Sequence, residues 1–269
     1  MDRPNLTPSH SQPPPGFHLA HDAISEEAWN EIRTWLDLDW DDPQLGFVFD
    51  DSDSDNPTVQ HKSSSHIPWE ISTLVQNRPV AQFGFRYDYQ QDFVASAASS
   101  MPEIPAMLKR LLLDPLTEQT NESDAEIQHL FQQQPQKQRV TFTQCIINAY
   151  GANDTSHIPW HIDDDQFGPI IVVYTAGETR PLKLRCSSSP NHAKHYSCTA
   201  HPRHLSRYIL SGEAREKWEH SVPTGKGWRI SITFRSWREK EPWVGWPTQL
   251  IINHYRFIVR IIMVIKTRR

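Results

Sequence analysis

Residues Asn148 to Asp165 read NAYGANDTSHIPWHIDDD and hold the only His-x-Asp of a chain with fourteen histidines. In an extended segment side chains alternate faces, so His161 and Asp163 point one way while Trp160 and Ile162 pack on the other. An imidazole beside a carboxylate is two thirds of a 2-His-1-carboxylate facial triad, the donor set of non-haem Fe(II) oxygenases. The candidate for the third donor is His220. A plainer reading stands beside this one, because a lone His-x-Asp is a weak signal and a buried histidine is usually only hydrogen-bonded.

His220 is set apart by the strand downstream of it. Residues Arg229 to Arg235, RISITFR, alternate strictly, so Arg229, Ser231, Thr233 and Arg235 share one face of a strand and Ile230, Ile232 and Phe234 the other. Two inward arginines are costly unless they meet an anion, and a dicarboxylate cosubstrate would supply one. The same alternation places Asn148 and Tyr150 on one face of the upstream strand TFTQCIINAY, as donors beside the metal.

The elements that must position these groups fit one catalytic domain. At 269 residues, 37% hydrophobic and with ten tryptophans, the chain can fill a sizeable core. The three cysteines, Cys145, Cys186 and Cys198, form no close-spaced pair, which points to a reducing intracellular compartment, cytoplasmic or nuclear. No signal peptide is read at the start. The net charge of −5 conceals an asymmetry: residues 1–179 carry 9 Lys+Arg against 27 Asp+Glu, and residues 180–269 carry 18 against 5. The basic half suits a phosphate backbone, although charge runs more often form solvated faces.

Along the chain, the Pro/Ser-rich residues 1–15 are expected to be disordered and order to begin at Gly16. Ser25 caps a helix to about Leu36, with Ile24 and Trp29 stapling its start and Trp29, Ile32 and Leu36 as its buried stripe. The acidic run Asp50, Asp51, Asp53, Asp55 lacks the glycine and terminal glutamate of a calcium loop and reads as solvated. FGFRYDY, Phe83 to Tyr89, reads as a strand with an aromatic stripe. That stripe serves either as a core face or as a stacking surface for a flipped base, with Arg86 nearby.

Residues 101–113 predict a helix with Met107, Leu108, Leu111 and Leu112 inward, and Asp114 to Arg139 a polar loop. Ile170–Thr175 and Leu182–Arg185 read as a hairpin turning at Gly177. The Cys/His-rich residues 186–206 match no zinc spacing. Tyr208–Leu210 is a short strand and Ser211–Glu213 a turn. The basic, apolar tail at 241–269 is of open role, and no run in it reaches the ~20 apolar residues of a membrane span. Periodicity alone gives an α+β or mostly β domain.

Taken together, PPGF followed by ISEEAWNEI, FGFRYDY, N-x-Y before H-x-D, YILSGEAREKWEHSV and R-x-S-x-T-F-R resemble the AlkB-like 2-oxoglutarate- and Fe(II)-dependent dioxygenases over about residues 16–240. FGFRY and LSGEAR-x-x-W-x-H look most like the eukaryotic homologues acting on tRNA wobble uridines, whose RNA-binding and methyltransferase domains have no counterpart here. The resemblance implies a double-stranded β-helix of jelly-roll type with flanking helices and a nucleotide lid from the amino-terminal strands.

It further implies His161, Asp163 and His220 as iron ligands. Arg229 anchors the far carboxylate of 2-oxoglutarate with Tyr150 and Ser231 assisting, Ser231 standing where some members have Asn. Arg235 and Asn148 lie near the chelating end. Phe85, Arg86 and Tyr87 are expected to meet substrate, and Asp165 either does so or caps its loop. The cofactors implied are Fe(II), 2-oxoglutarate and O2. The implied partner is nucleic acid, tRNA or another RNA or DNA, bound by a monomer that a further protein supplies with RNA binding. The alternatives are a dioxygenase of the same fold acting on a protein or small molecule, and a non-catalytic interaction module.

Overall fold

The computed structural model describes residues 12–50, 58–61, 66–70, 78–88, 93–94, 101–118, 140–152, 156–186 and 196–238. The Asp51–Asp55 part of the acidic run, Tyr89, most of the 114–139 loop, the middle of the Cys/His-rich segment and the 241–269 tail lie outside them. Packing begins ahead of Gly16: Pro14 is buried, and the Pro15 carbonyl accepts from the Ala214 amide at 3.0 Å.

β1 (Phe17–Ala20) leads to α1 (Glu26–Leu36). The Ser25 hydroxyl accepts from the Ala28 amide at 3.1 Å, a cap that contributes about 1 kcal/mol, and Glu26 and Glu27 face the positive end of the helix dipole. Asp37, at φ 50°, ends the helix in a left-handed turn. Trp29, Ile32 and Leu36 are buried with Ile24, as their spacing predicts.

Seven strands form one antiparallel sheet. In spatial order they are β1, β13 (Ser206–Ser211), β10 (Phe167–Gly177), β15 (Arg229–Trp237), β8 (Gln144–Tyr150), β5 (Val80–Gly84) and β4 (Trp69–Glu70). A second antiparallel sheet orders β12 (Tyr196–Ala200), β11 (Leu182–Cys186), β14 (Trp218–Val222) and β9 (Ile158–His161). Two small ribbons pair β2 (Phe47–Asp50) with β3 (Thr58–His61), and β6 (Tyr87–Asp88) with β7 (Phe93–Val94). The core is a double-stranded β-helix of jelly-roll type, mostly β with flanking helices.

Period-two alternation divides the large sheet between two cores. Cys145, Ile147 and Ala149 of β8, Val172 and Tyr174 of β10, and Ile230, Ile232 and Phe234 of β15 join the helices' Trp29, Ile32, Leu36, Leu108 and Leu112. The opposite face sends Ile171, Val173, Tyr208 and Leu210 against Leu182, Leu184, Trp218 and Val222 of the small sheet. Polar side chains on that second face therefore fall between the sheets, each buried aliphatic around them contributing roughly 1.5–3 kcal/mol.

Three local expectations are corrected. β10 and β11 form no hairpin: at Gly177, with φ 94°, the chain leaves the large sheet, and β11 pairs with β12 and β14. The FGFRYDY strand breaks at Gly84, whose φ is 77° and where a Cβ would stand 2.0 Å from the Thr143 carbonyl oxygen. The 101–113 helix starts only at Ala106, after Pro102 and Pro105. It then runs as α2 (Ala106–Leu108), a π turn (Lys109–Leu113) and α3 (Asp114–Glu118), so it continues into the expected loop. The wider π turn shifts the inward face to Leu108, Leu112, Leu113 and Leu116. Ser211 is followed by a one-turn helix, α4 (Gly212–Glu216).

Candidate metal centre and cosubstrate pocket

β9 and β14 are neighbours in the small sheet, and their register sets His161 opposite His220 with ring centroids 4.2 Å apart. β9 ends at His161, and Asp163 sits just beyond it, turned to the same side. One donor atom from each of His161, Asp163 and His220 lies within 4.8 Å of the others, close enough to share one ion. Among the described residues no other such cluster occurs, and His201 and His204 of the Cys/His-rich segment belong to none. Trp160 packs outward under Arg185, 4.3 Å from its ring centroid. Ile162, expected to pack with it, is 41% exposed and lines the cavity mouth.

The protonation states suit a cation. His161 Nδ1 is 2.9 Å from the Pro159 carbonyl, which only accepts, so Nδ1 donates there and Nε2 is the ring nitrogen left to meet an ion. Burial, reinforced by His161 and opposed by Asp163, pushes His220 down to about 3 and leaves its imidazole neutral. Burial alone would raise Asp163. The Arg235 guanidinium, helped by His220, His161 and Arg215, reverses this and holds the carboxyl well below the usual carboxylate range. Asp163 Oδ1 is 2.5 Å from Arg235, and Oδ2 is 3.6 Å from His220 Nε2. A neutral His220 imidazole and an ionised Asp163 carboxylate are forms a divalent metal requires.

β15 turns Arg229, Ser231, Thr233 and Arg235 between the sheets, as its alternation predicts, and β8 sets Tyr150 opposite Arg229 and Asn148 opposite Ser231. Arg229 is 1% exposed, and none of its three guanidinium nitrogens has a hydrogen-bond partner among the described residues; neither does the buried Tyr150 hydroxyl. The Tyr150 ring lies among three guanidinium groups, 5.0 Å from Arg180, 5.4 Å from Arg229 and 5.5 Å from Arg78. A buried cation with no anion is costly, and a carboxylate arriving here removes that cost. The residues therefore fit the distal carboxylate of 2-oxoglutarate.

Several residues of the site were given no role by the sequence, and Arg78 and Arg180 lie in no motif at all. Arg78, 4% exposed, donates from Nε to Asn148 Oδ1 at 2.9 Å and lines the cavity. Because arginine only donates, this bond fixes the Asn148 amide with Nδ2 outward, 3.3 Å from Ser231 Oγ. Arg180 ties loops together, donating to the carbonyls of Ser156, Gly151 and Gly227 at 2.9, 3.0 and 2.9 Å. Tyr208 lines the cavity beside Arg229; burial pushes its phenol up, offset in part by that guanidinium. Gln144 Oε1 lies 3.5 Å from Arg235.

The expected substrate residues separate. Tyr87 lines the cavity and packs 5.7 Å from Phe167, whereas Phe85 stacks on Trp237 at 5.5 Å. Arg86 is exposed and pairs with Glu70 at 3.2 Å, and Asp165 is exposed outside the cavity lining. The cavity measures about 230 Å³ and joins the donor trio to Tyr87, Ile158, Pro159 and Ile162. No helix among the described residues is long and apolar enough to cross a membrane.

No curated protein sequence matches the chain. A solved structure described as "The structure of OsALKBH1" is similar at 14% identity and a TM-score of 0.48, covering 84% of this chain and 99% of that one. The family model "2OG-Fe(II) oxygenase superfamily" matches residues 44–235, well over half of the chain and inclusive of all three donors and both arginines. The chain thus belongs to the 2OG-Fe(II) oxygenase superfamily, and it is a dioxygenase that uses Fe(II), 2-oxoglutarate and O2.

Proposed function

We propose that the chain is an AlkB-like dioxygenase that hydroxylates or oxidatively demethylates a modified base in nucleic acid, with tRNA as the favoured substrate. His161, Asp163 and His220 hold the iron. Arg229, with Tyr150 and Ser231, grips the far carboxylate of 2-oxoglutarate, while Asn148 and Arg235 border its chelating end. The bound metal and cosubstrate supply an oxidation: 2-oxoglutarate loses CO2 to give succinate, one oxygen atom of O2 going into succinate and the other into a substrate C–H bond. A hydroxylated N-methyl then leaves as formaldehyde, and a hydroxylated methylene persists.

The observation that carries the reading is the cavity itself, where Tyr87 and the apolar edges of Ile158, Pro159 and Ile162 border the same space as the three donors. A flat heterocycle taken out of its stack needs an aromatic or apolar slot. The sequence resemblance over FGFRY and LSGEAR-x-x-W-x-H favours tRNA and its wobble uridines. The basic half of the chain suits a phosphate backbone. A partner protein supplying RNA binding, and a monomeric catalytic unit spanning 16–240, complete the proposal.

The test is succinate formation by the full chain with Fe(II), 2-oxoglutarate and O2, in the presence of total tRNA, methylated DNA oligonucleotides or neither, followed by mass spectrometry of the nucleosides. Stimulation by tRNA with loss or hydroxylation of a modified nucleoside supports the reading. Succinate production indifferent to every nucleic acid transfers the enzyme to a protein or small-molecule substrate, and no turnover at all leaves an interaction module.

A further inference from the structure

Arg215 of α4 is 4% exposed, yet it makes no ion pair among the described residues. Its guanidinium instead donates to main-chain carbonyls of a single turn. One terminal nitrogen reaches the Asp163 oxygen at 2.9 Å, and the other reaches the Asp164 oxygen at 2.5 Å and the Phe167 oxygen at 3.4 Å. Nε is buried without a hydrogen-bond partner among the described residues. The same turn is closed by the Phe167 amide on the Asp164 carbonyl at 3.1 Å and the Gln166 amide on Asp164 Oδ1 at 2.8 Å.

The placement joins two distant parts of the chain. α4 ends at Glu216 and β14 begins at Trp218, so Arg215 stands on the approach to His220 while its head group holds the backbone that carries Asp163. Burying a guanidinium against carbonyls alone carries a desolvation cost. What it supplies in return is a planar fork that spans several acceptors at fixed angles, which no lysine or neutral amide can do. It leaves both Asp163 carboxylate oxygens untouched; Arg235 is the side chain that binds one of them.

We propose that Arg215 is a positioning residue for the Asp163 donor, presetting the separation of Asp163 from His220 by clamping the main chain at and after Asp163. This rests on the reading that His161, Asp163 and His220 hold the metal. Residues that orient metal ligands from behind typically change metal affinity by about 10- to 100-fold when replaced.

The experiment measures Mn(II) binding to the full-length chain by loss of the free-ion electron paramagnetic resonance signal, alongside the melting temperature of the metal-free protein. Wild type is compared with Arg215→Gln, Arg215→Lys and Ile32→Val, the last a core change in α1 remote from the donors. The expected result is Mn(II) binding weakened roughly 10- to 100-fold by Arg215→Gln, nearly as much by Arg215→Lys, and not at all by Ile32→Val despite its lower melting temperature. The proposal is overturned if folded Arg215→Lys binds as wild type does, or if the Arg215 variants lose no more affinity than Ile32→Val. Should Arg215→Gln fail to fold, Arg215→Lys decides the matter. A wild-type chain that takes up no Mn(II) overturns the donor assignment, and this proposal with it.

Discussion

His161 and His220 are directly opposed residues of adjacent antiparallel strands, with their imidazole centroids 4.2 Å apart. The backbone ladder between β9 and β14 therefore sets the spacing of two donors before any ion arrives. The ladder shifts register between His220 and Val222, so the ordered pairing at His220 is local to the site.

His161→Ala and His220→Ala should each abolish tight metal binding, with Mn(II) affinity reduced at least ~100-fold and no succinate produced. The double variant should be no worse than either single one, since two remaining donors already fail to retain the ion. Metal titration of the three proteins checks this; a single variant that keeps wild-type affinity removes that histidine from the ligand set.

Arg229→Met replaces a buried cation that has no carboxylate partner among the described residues by an apolar chain of similar length. The cosubstrate-free protein should be as stable as wild type or more so, because the desolvation cost disappears with the charge. Wild type should gain about 2.7 kcal/mol at a hundredfold excess of 2-oxoglutarate over its dissociation constant. The variant should gain nothing. Thermal melts with and without 2-oxoglutarate read both signs, and an equal shift in the two proteins contradicts the assignment.

If the substrate is the proposed nucleic acid, Tyr87→Ala should lower kcat/KM for it by roughly tenfold to a hundredfold, the worth of one base stacked on an aromatic ring. Turnover of 2-oxoglutarate without substrate should stay near the wild-type rate, since Tyr87 is not one of the three donors. Phe85→Ala, which removes the ring stacked on Trp237, should act on stability instead. Steady-state kinetics and melts of both variants separate the roles.

Cys145 is fully buried on β8, and burial pushes its thiol well up. It should resist iodoacetamide in the native protein and react only on unfolding, because the thiolate is the nucleophile. Peptide mass spectrometry after timed alkylation tests this; native labelling of Cys145 at the rate of an exposed thiol would mean that β8 opens readily.

Much of the site was legible because alternation is a local signal. RISITFR assigns Arg229 and Arg235 to one face with no reference to the rest of the chain, and H-x-D marks its own two donors. Arg78 and Arg180 stayed invisible for the opposite reason. Each acts on backbone or side chains that come from elsewhere, such as Arg180 on Gly151 and Gly227, and nothing in their neighbours announces it. The same limit explains β10 and β11. A glycine between two apolar runs signals a turn, but whether the second run returns to its predecessor or crosses to the facing sheet depends on strands encoded far downstream. FGFRYDY shows the remaining difficulty: only the close approach of the Thr143 carbonyl reveals why Gly84 divides its aromatic residues between Trp237 and the cavity.

Pairing His161 with a residue so much later in the chain has a consequence for biosynthesis. A nascent polypeptide that has emerged only as far as the turn after β9 offers a metal two donors, His161 and Asp163, and the third comes after β10, β11, β12, β13 and α4 have been made. Oxidative competence thus arrives near the end of translation of the jelly roll, when the surrounding walls already exist to confine it.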